Sequence, residues 1–414
     1  MLNIYLVFVL GILITEYILN LFVESLNIRA ASPELPEEFI GYYDVAQYKK
    51  SQQYLRQNTR FALVKNTFYT AALIVFILSG GFNIVDRLAR GAGYGPVLTG
   101  LLFAGALLVL GQLINILFTA YHTFVIEEKF GFNRSSVKTF ILDVVKGLLV
   151  SSVLGAIIFS LVLWFFNWSG QKAWIYCWIA ASVFQVFVLF IGPLVILPLF
   201  NKFTPLPEGE LKEAIENYAR KEEYKIKGIF SIDASRRSAK TNAFFTGIGK
   251  SKRIALFDTL IAKHSVEELV AVLAHEVGHC KKRHLLKQLA FSVATNGVMF
   301  FILSLFMNSP KLFAAFGMAH ISVYASLFFF SFLYSPLNLL FSLIGQASSR
   351  RHEYEADAYV AKTYFRPDAF IEALKKLTVA NLSNLTPHRL KVLFDYSHPP
   401  VLARIQAITL KGKP

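Results

Sequence analysis

The segment His275-Glu276-Val277-Gly278-His279 combines residue types and a spacing that suit metal-assisted hydrolysis. In a helix, His275 and His279 project from one face, because they lie four residues apart, and they can share one metal ion. Glu276 can reach a water molecule beside that ion without filling a coordination position. Two nitrogen ligands with a neighbouring carboxylate that takes a proton from water are typical of zinc peptidases.

The residues before this segment predict the helix that positions it. Ser265 followed by Glu268 is typical of a capping box, so we expect the helix to begin there. The alternative is a buried helix with two unrelated histidines. The helical phase and the cap favour the metal site. Apolar residues recur at helical spacing at Val266, Leu269, Val270, Leu273 and Val277.

A catalytic zinc ion normally has three protein ligands and one open position. The best candidate for the third is Glu353, and Asp357 shares its face of a second predicted helix. We expect Asp357 to accept the N–H of a ligating histidine and so fix its tautomer. Glu355 lies on a different face, solvated or paired with arginine. The alternative is that these acids only balance nearby arginines and lysines.

The two cysteines, Cys177 and Cys280, do not predict a disulfide framework. Cys177 lies in an apolar segment and Cys280 follows the histidine segment directly. On a helix Cys280 points about 100° away from His279. We therefore interpret it as a small core residue and not as a fourth metal ligand.

The composition predicts a protein with several membrane spans. Of 414 residues, 55% are hydrophobic and only 17% are charged, against about 25% charged residues in soluble proteins. Gly192-Pro193 interrupts the fifth span and the last one extends past Pro336, as kinks inside a bundle can. The predicted spans are 3–23, 66–84, 96–118, 147–167, 174–198, 288–308 and 312–334.

The net charge of +15 is distributed unevenly. With the N-terminus outside, the external loops hold four of the 42 Lys and Arg residues. The positive-inside rule then places the C-terminus and the histidine segment in the cytoplasm. Topology and anionic lipid explain the basic excess, and no nucleic-acid recognition motif accompanies it. The four external residues are Arg87, Arg90, Lys172 and Lys311.

The first span lacks a basic start and a small-residue cleavage site, so we interpret it as a retained helix. Between the fifth and sixth spans, the sequence predicts a charged helix at 208–223. Short β-prone runs follow at 228–233, 242–246 and 253–257. Gly247 and Gly249 predict a hairpin turn between the last two runs.

The predicted fold is mainly α. Seven transmembrane helices carry a split cytoplasmic gluzincin-like zinc peptidase domain that contains a small β-sheet. Residues 1–198 form transmembrane helices 1–5, and 199–287 the catalytic segment with the HEVGH helix. Residues 288–345 form helices 6 and 7, and 346–414 a C-terminal catalytic segment with the third ligand. Two spans return the chain to the same face, so the two catalytic segments can meet.

HEVGH, then two spans, then Arg-Arg-His-Glu-Tyr-Glu-Ala-Asp-Ala at 350–358, resembles the integral-membrane CAAX prenyl protease 1 family. The segment 121–133 looks like a characteristic loop of that family. Thr-Asn-Ala-Phe-Phe-Thr-Gly at 241–247 resembles its substrate-strand motif. Asp-Tyr-Ser-His-Pro-Pro at 395–400, followed by Arg404, resembles its C-terminal motif. The resemblance covers nearly the whole chain.

The resemblance implies a role for each matching residue. One zinc ion per chain would be held by His275, His279 and Glu353, with Glu276 as general base. Asp357 would support a ligand, and Asn242 would hold substrate backbone from an edge strand. His398 and Arg404 would lie by the zinc and stabilise the oxyanion or hold the site together.

General chemistry supports some of these roles independently. A peptide can add to a sheet edge, and the Asn242 side chain can bind its backbone; a turn-forming asparagine is the alternative. His398 can supply a donor for the negative charge of the reaction, or it is an exposed loop histidine. Arg404 could equally pair with a surface acid. We interpret the remaining histidines of interest as structural or solvated: His284, His320, His352 and His388.

Several polar residues lie within or near the predicted spans. The resemblance implies that the spans enclose a water-filled chamber that such residues line. Hydrogen bonding between helices is the alternative, and the sequence does not distinguish the two. The residues are Glu16, Gln112, Asn115, Gln185, Asn296 and Asn338.

The resemblance implies an enzyme that removes the last three residues of prenylated proteins ending in C-a-a-X. Such substrates are anchored in the bilayer, which suits a membrane-embedded protease. Two alternatives remain from the sequence: a quality-control protease for misfolded or unprenylated membrane proteins, and a transporter or receptor with an incidental HEVGH. The cytoplasmic face belongs to a bacterial inner membrane or to the endoplasmic reticulum.

Overall fold

Long apolar helices make up most of the chain. The structure, a computed structural model, describes residues 3–246, 253–364 and 366–411. Within those ranges seven helices are long and apolar enough to cross a membrane. The predicted number of spans is therefore confirmed. They are Ile4–Ala30, Val45–Leu78, Pro96–Glu127, Val137–Trp168, Ala173–Phe200, His284–Phe306 and Val323–Thr363.

Two spans contain π-helical turns, at His122–Glu127 and Gly192–Ile196. The second turn includes Pro193, the residue that interrupts the fifth predicted span. Three 3-10 turns, Glu37–Phe39, Gly170–Lys172 and Ala234–Arg236, lie in connections. In chain order the described α-helices are α1 Ile4–Ala30, α2 Val45–Leu78, α3 Gly81–Gly91, α4 Pro96–Tyr121, α5 Val137–Trp168, α6 Ala173–Ile191, α7 Leu197–Phe200, α8 Glu210–Lys221, α9 Asp258–Ile261, α10 Val266–Lys281, α11 His284–Phe306, α12 Pro310–Ala315, α13 Val323–Thr363, α14 Pro367–Ala380, α15 Arg389–Asp395 and α16 Val401–Lys411.

The second span begins and ends earlier than predicted. The sequence placed it at 66–84, whereas α2 starts at Val45 and ends at Leu78. It starts early because Asp44 caps it, accepting a hydrogen bond from the backbone N–H of Gln47 at 2.7 Å. It ends early because Gly80 takes a left-handed conformation, with φ of 70°, and begins a new helix, α3.

The seventh span also differs from its predicted range of 312–334. The short α12 occupies the start of that range, and α13 begins only at Val323. It then continues for 41 residues to Thr363, with Pro336 inside it. One unbroken helix therefore links the membrane to the segment that carries Glu353, and the predicted boundary at 345/346 lies inside it.

The spans form a closed ring of neighbouring helices, and α13 also contacts α4 and α5. Each membrane helix contacts its neighbours in the order α1, α2, α3 and α4, α5, α6, α11, α13 and back to α1. Among the described residues, none of the seven spans buries more than 11% of its most apolar stretch. By comparison, ten of the 16 residues of α10 are buried.

One end of this ring is closed by what we call the cap, the packing of α3 and α12 around Phe82, Phe316 and Phe329. Phe316 and Phe329 stack with centroids 3.9 Å apart, and Phe82 meets both edge-on. The fully buried Asp86 accepts hydrogen bonds from the Tyr324 hydroxyl at 2.5 Å and from Arg90 Nε at 2.9 Å. A buried charge is thus paired at the centre of the cap.

A four-stranded sheet lies outside the ring, in the order β1-β2-β4-β3 within the described chain. The three β-prone runs predicted from the sequence are confirmed as strands, and β1 was missed. The turn predicted at Gly247 and Gly249 lies outside the described residues. β2 and β4 are parallel and the other pairs are antiparallel, with β1 Phe203–Pro205, β2 Gly228–Ile232, β3 Ala243–Thr246 and β4 Arg253–Phe257.

The helix α10 lies at the centre of the hydrophobic core beside the sheet. Its Ser265 cap is the predicted capping box, in which Ser265 Oγ accepts from the Glu268 N–H and Glu268 returns the bond, both at 3.3 Å. The helix packs against α8, α13, α14 and the sheet. Six residues of α10 are almost fully buried in this core: Leu269, Val270, Ala271, Leu273, Ala274 and Val277.

Candidate metal centre

The buried helix α10 presents His275 and His279 from one face. Their Nε2 atoms lie 3.1 Å apart, with both rings turned to the same point. His275 is almost enclosed and stacks on Phe370 of α14. Packing and the capping box therefore fix the two rings before any ligand binds.

The helix α13 brings Glu353 to these histidines. Its carboxylate oxygens lie 3.4 Å from His275 Nε2 and 3.3 Å from His279 Nε2. This close approach needs a glycine at Gly278, because a Cβ there would lie 3.0 Å from Tyr359 Cβ and 3.2 Å from Ala356 Cα. The contact between α10 and α13 is thus close enough to let two distant segments share one site.

These three side chains fit a zinc ion. One donor atom of each lies within 4.8 Å of the others. With bonds of about 2.0–2.1 Å, neighbouring ligands of a tetrahedral zinc ion are about 3.3 Å apart, as the closest distances here are. Oε2 of Glu353 is buried and accepts no hydrogen bond in the described structure, which leaves it available to a cation. Two imidazoles and one carboxylate are the donor set of a catalytic zinc site with one open position.

Asp357 lies at the Nδ1 side of His275, and Arg404 binds Asp357. Oδ1 of Asp357 lies 2.9 Å from His275 Nδ1, at ion-pair distance although not aligned as a hydrogen bond. Arg404 donates to both oxygens of Asp357, at 2.7 and 3.0 Å, and its Nη1 lies 3.5 Å from Glu353. Burial by itself lowers the pKa of Arg404, but Asp357, Glu353 and Glu276 together raise the pKa of the guanidinium above its usual value. The arginine therefore stays charged and holds α16 to α13.

Glu276 lines a cavity of about 620 Å³ beside the three candidate ligands. Burial raises the pKa of its carboxyl above the usual range, against the opposing effect of the two histidines. A carboxylate with a raised pKa is a stronger base towards a water molecule. Glu276 therefore has the position and the environment of a general base.

His398 lies on the open side of this cavity. Its Nε2 is 3.4 Å from Glu353 Oε1, and Ser397 Oγ lies 2.9 Å from its other ring nitrogen. Its side chain is 64% exposed, so it can meet a substrate as well as the site. Pro399 and Pro400 follow directly and restrict the backbone.

Asn242 also lines this cavity and lies immediately before β3. Among the described strands, β3 is the edge strand next to the candidate metal centre. The Asn242 side chain is exposed, and its Oδ1 accepts from the N–H of Ala243 at 2.9 Å. Among the described residues its amide N–H₂ makes no hydrogen bond, so this group can donate to a peptide that adds to the edge.

Two family models match the chain. One, described as CAAX prenyl protease N-terminal, five membrane helices, matches residues 24–202, and Peptidase family M48 matches residues 205–411. The chain is 33% identical to CAAX prenyl protease 1 homolog of Arabidopsis thaliana, covering 98% of this chain and 97% of that protein. It is 32% identical to CAAX prenyl protease 1 of Saccharomyces cerevisiae, over 92% and 89% of the two chains.

A solved structure agrees with these matches. The crystal structure of S. mikatae Ste24p superposes with a TM-score of 0.94 at 30% identity, covering 99% of this chain and all of that one. The chain belongs to the CAAX prenyl protease 1 family. It is accordingly a multi-pass membrane metallopeptidase of the M48 type, which is what the sequence predicted.

In this family member the backbone before Asn242 is tied to a membrane helix. Lys240 donates to the Tyr54 hydroxyl at 2.8 Å and pairs with Glu127 at 2.8 Å. Asn381 of the α14 end bonds both the N–H and the C=O of Thr241, at 3.0 and 3.1 Å. The loop at 121–133 thus helps to position the edge strand, a role that the sequence motif alone did not reveal.

Two residues of the CAAX protease site were not predicted from the sequence. His284, interpreted as structural or solvated, lies 2.9 Å from His279, ring nitrogen to ring nitrogen. Glu355, predicted to be solvated or paired with arginine, pairs with Arg351 at 3.0 Å but also with His284 at 3.1 Å. The sequence does contain a third histidine, His284, shortly after HEVGH. Helical spacing does not place it beside His279, because α10 ends at Lys281, between the two.

Most of the predicted polar residues of the spans bond across helices. Gln185 of α6 donates to Ser292 Oγ at 2.9 Å and accepts from Asn296 at 3.3 Å, both on α11. Ser335 of α13 donates to Glu16 of α1. On α4, Gln112 accepts from Asn115, which in turn accepts from Lys65 of α2. Hydrogen bonding between helices therefore accounts for four of the predicted residues, Glu16, Asn115, Gln185 and Asn296, whereas Gln112 is bonded within α4. Asn338 lines a groove of about 270 Å³ formed by α1, α13 and α15.

Proposed function

We propose that this enzyme removes the C-terminal -aaX tripeptide from prenylated CAAX proteins, with one zinc ion per chain. The observation that carries the proposal is the meeting of His275, His279 and Glu353, with Glu276 beside them, in a cavity bounded by an edge strand. The relatives in Arabidopsis thaliana and Saccharomyces cerevisiae are both described as CAAX prenyl protease 1.

The three proposed ligands come from two helices, His275 and His279 from α10 and Glu353 from α13. A bound zinc ion supplies Lewis acidity and lowers the pKa of water at the open position. Glu276 takes the proton of the attacking water on its carboxylate. The same carboxyl then delivers that proton to the departing amine nitrogen, because a group that accepts a proton in one step can donate it in the next.

His398 acts where negative charge develops on the carbonyl oxygen. Its ring reaches the open side of the cavity and can donate a hydrogen bond to that oxygen. Arg404 acts indirectly, because it is buried and its donors are directed to Asp357 and Glu353. We therefore assign His398 to the reaction and Arg404 to holding the ligands in place.

The substrate lies extended along β3, with Asn242 bonded to its backbone. Such binding does not depend on the side chains of the peptide, because main-chain groups are read. Apolar residues line the same cavity as Asn242 and suit the two aliphatic residues of an -aaX sequence. They are Leu260, Val272, Phe370, Leu374 and Leu377.

The catalytic segments 199–287 and 346–414 face the cytoplasm, of a bacterial inner membrane or of the endoplasmic reticulum. Their positive charge supports this orientation, since only four of 42 Lys and Arg residues lie in the loops predicted outside. Arg90 of that set belongs to the cap, at the closed end of the ring. A lipid-anchored tail reaches such a site along the membrane without leaving it.

The test compares wild type and Glu276→Gln on a farnesylated C-a-a-X peptide, with zinc content measured in both. We expect the variant to keep its zinc and to lose about 10²- to 10⁴-fold in kcat, the usual contribution of a general base. Retained cleavage with zinc bound would exclude Glu276 as the base.

Two further arms test the substrate and the metal. Chelation should abolish cleavage, and added zinc should restore it. The same peptide without its isoprenyl group should be cleaved poorly. Equal cleavage of both peptides would reject prenylated proteins as the preferred substrates and point to a less selective membrane protease.

A further inference from the structure

His284 is a buried histidine that touches the candidate metal centre without belonging to the three ligands. It is 2% exposed and is the first residue of α11. The chain reaches it through Arg283, which has a positive φ of 57° and turns the backbone sharply after α10. This turn brings the ring back against His279, with their Nδ1 atoms 2.9 Å apart.

The protons of this contact can be assigned. When Nε2 of His279 binds a metal ion, the neutral ring carries its one proton on Nδ1. Nδ1 of His279 therefore donates, and Nδ1 of His284 accepts. The proton of the neutral His284 ring is then on Nε2, which lies 3.1 Å from Glu355 Oε2. Each donor in this series of hydrogen bonds thus meets an acceptor. Glu355, the last acceptor, pairs with Arg351.

The His284 ring is also fixed by packing. It stacks on His352 with ring centroids 4.0 Å apart and planes 11° from parallel. His352 is itself 5% exposed and lies on α13, beside Glu353. A ring held by a stack on one side and two hydrogen bonds at its edge has little freedom to rotate. It therefore presents its acceptor nitrogen to His279 in one orientation.

We infer that His284 is a positioning residue that sets the tautomer and orientation of His279, with Glu355 fixing His284 in turn. The inference rests on the proposed role of His279 as a metal ligand. The two histidine ligands then have unlike supports: a carboxylate, Asp357, lies behind His275, and a neutral imidazole lies behind His279. Outer partners of this kind orient a ligand and strengthen its binding to the metal.

The test replaces one edge of the His284 ring at a time in the purified full-length enzyme. His284→Asn keeps an acceptor oxygen near the position of Nδ1, and His284→Gln keeps a polar group near Nε2 only. Zinc affinity is measured by competition with a chelator. We expect His284→Gln to bind zinc about 10- to 100-fold more weakly than wild type. His284→Asn should recover most of that loss.

Two controls separate positioning from folding. His264→Asn alters another buried histidine of the same region, whose Nδ1 lies 3.0 Å from the Leu260 carbonyl, and should leave zinc affinity unchanged. Thermal unfolding of the metal-free variants reports folding alone.

Glu355→Ala changes a side chain that is 29% exposed and leaves the buried ring in place, and it should weaken zinc binding by a smaller factor.

Equal zinc affinities for His284→Asn and His284→Gln, whether both normal or both weak, would overturn the inference. An unchanged affinity in Glu355→Ala would remove Glu355 from it. Failure of the proposed metal site gives a different result, because wild type itself would then bind no zinc. Failure of the proposed substrate alone would appear in the cleavage of the two peptides and leave the zinc affinities as expected. The kcat and KM of zinc-saturated variants provide a second readout: a positioning role lowers kcat and leaves KM nearly unchanged.

Discussion

The helix α13 passes through two regions that are stabilised in different ways. In the membrane ring, the spans bury at most 11% of their most apolar stretches. Beyond the ring, α13 packs so closely on α10 that a Cβ at Gly278 would lie 3.0–3.3 Å from Tyr359 and Ala356. The ring is thus sparsely buried, whereas the catalytic region is a packed core.

This difference follows from what each region must do. A metal centre needs donor atoms fixed to within a fraction of an ångström. Its ligands therefore lie on buried helices, and the ring nitrogens that face away from the metal have polar partners. The membrane ring needs only to stay closed, and a few polar contacts with the cap suffice. The same substitution should therefore have unlike effects in the two regions.

The largest contrast is expected from removing the charge of a glutamate in each region. Glu353→Gln removes a proposed ligand, so zinc affinity should fall by more than the roughly 100-fold that loss of an outer partner can cause. Cleavage should become undetectable. Glu16→Gln on α1 changes a glutamate that accepts from Ser335, far from the ligands, and zinc content should remain one per chain. Zinc loss in both variants would show that the two regions are not independent.

Adding a methyl group to a glycine in each region should give the next largest contrast. Gly278→Ala places a Cβ 3.0–3.3 Å from Tyr359 and the backbone of Ala356, so α10 and α13 must separate. Overpacking of this kind costs about 1–3 kcal/mol of unfolding free energy, and zinc affinity should fall as well. Gly155→Ala on α5 meets no atom within 4 Å and should not destabilise the protein.

Unfolding in detergent, with zinc content measured alongside, checks this pair. Equal stability of the two variants would mean that α10 and α13 can separate at little cost in unfolding free energy. The packed region would then be no more rigid than the ring. A loss of zinc affinity in Gly278→Ala at unchanged stability would instead locate the effect in the spacing of the ligands.

The cap should affect stability without affecting the metal. Asp86→Asn weakens two hydrogen bonds of a fully buried carboxylate, from Tyr324 and Arg90, and should cost about 1–3 kcal/mol. Zinc affinity and kcat of the folded variant should match wild type. Changed zinc affinity would show that the cap at one end of the ring is coupled to the site beyond the other.

The two regions also differ in how far the sequence predicted them. The span count, the α10 helix with its Ser265 cap and the three main strands follow from apolar periodicity and capping, which are local. The His275 and His279 pair needs only helical spacing. Glu353 lies about 75 residues from the two histidines in sequence. Its helical spacing with Asp357 made it the best candidate for the third ligand, and the resemblance to a known family favoured that role over charge balance.

Other features depended on geometry that no local pattern encodes. His284 reaches His279 only because Arg283 adopts a left-handed conformation, which is uncommon for a residue other than glycine. The beginning of α13 at Val323 follows from the packing of α12 into the cap, whereas hydropathy alone placed the last span at 312–334. The hydrogen bonds of Asn381 with Thr241 join residues 140 positions apart.

The smallest effect is expected from the polar contacts of the ring. Gln185→Leu removes the bonds from α6 to Ser292 and Asn296 on α11. Hydrogen bonds between membrane helices average about 0.6 kcal/mol, because the separated helices find other partners, and the loss should be of that size. Val183→Leu, at an exposed position of the same helix, is the matched control and should be neutral. A loss of several kcal/mol would indicate that the α6–α11 contact is a packed, cooperative interface, and the contrast between a sparsely buried ring and a packed catalytic core would then fail at the ring.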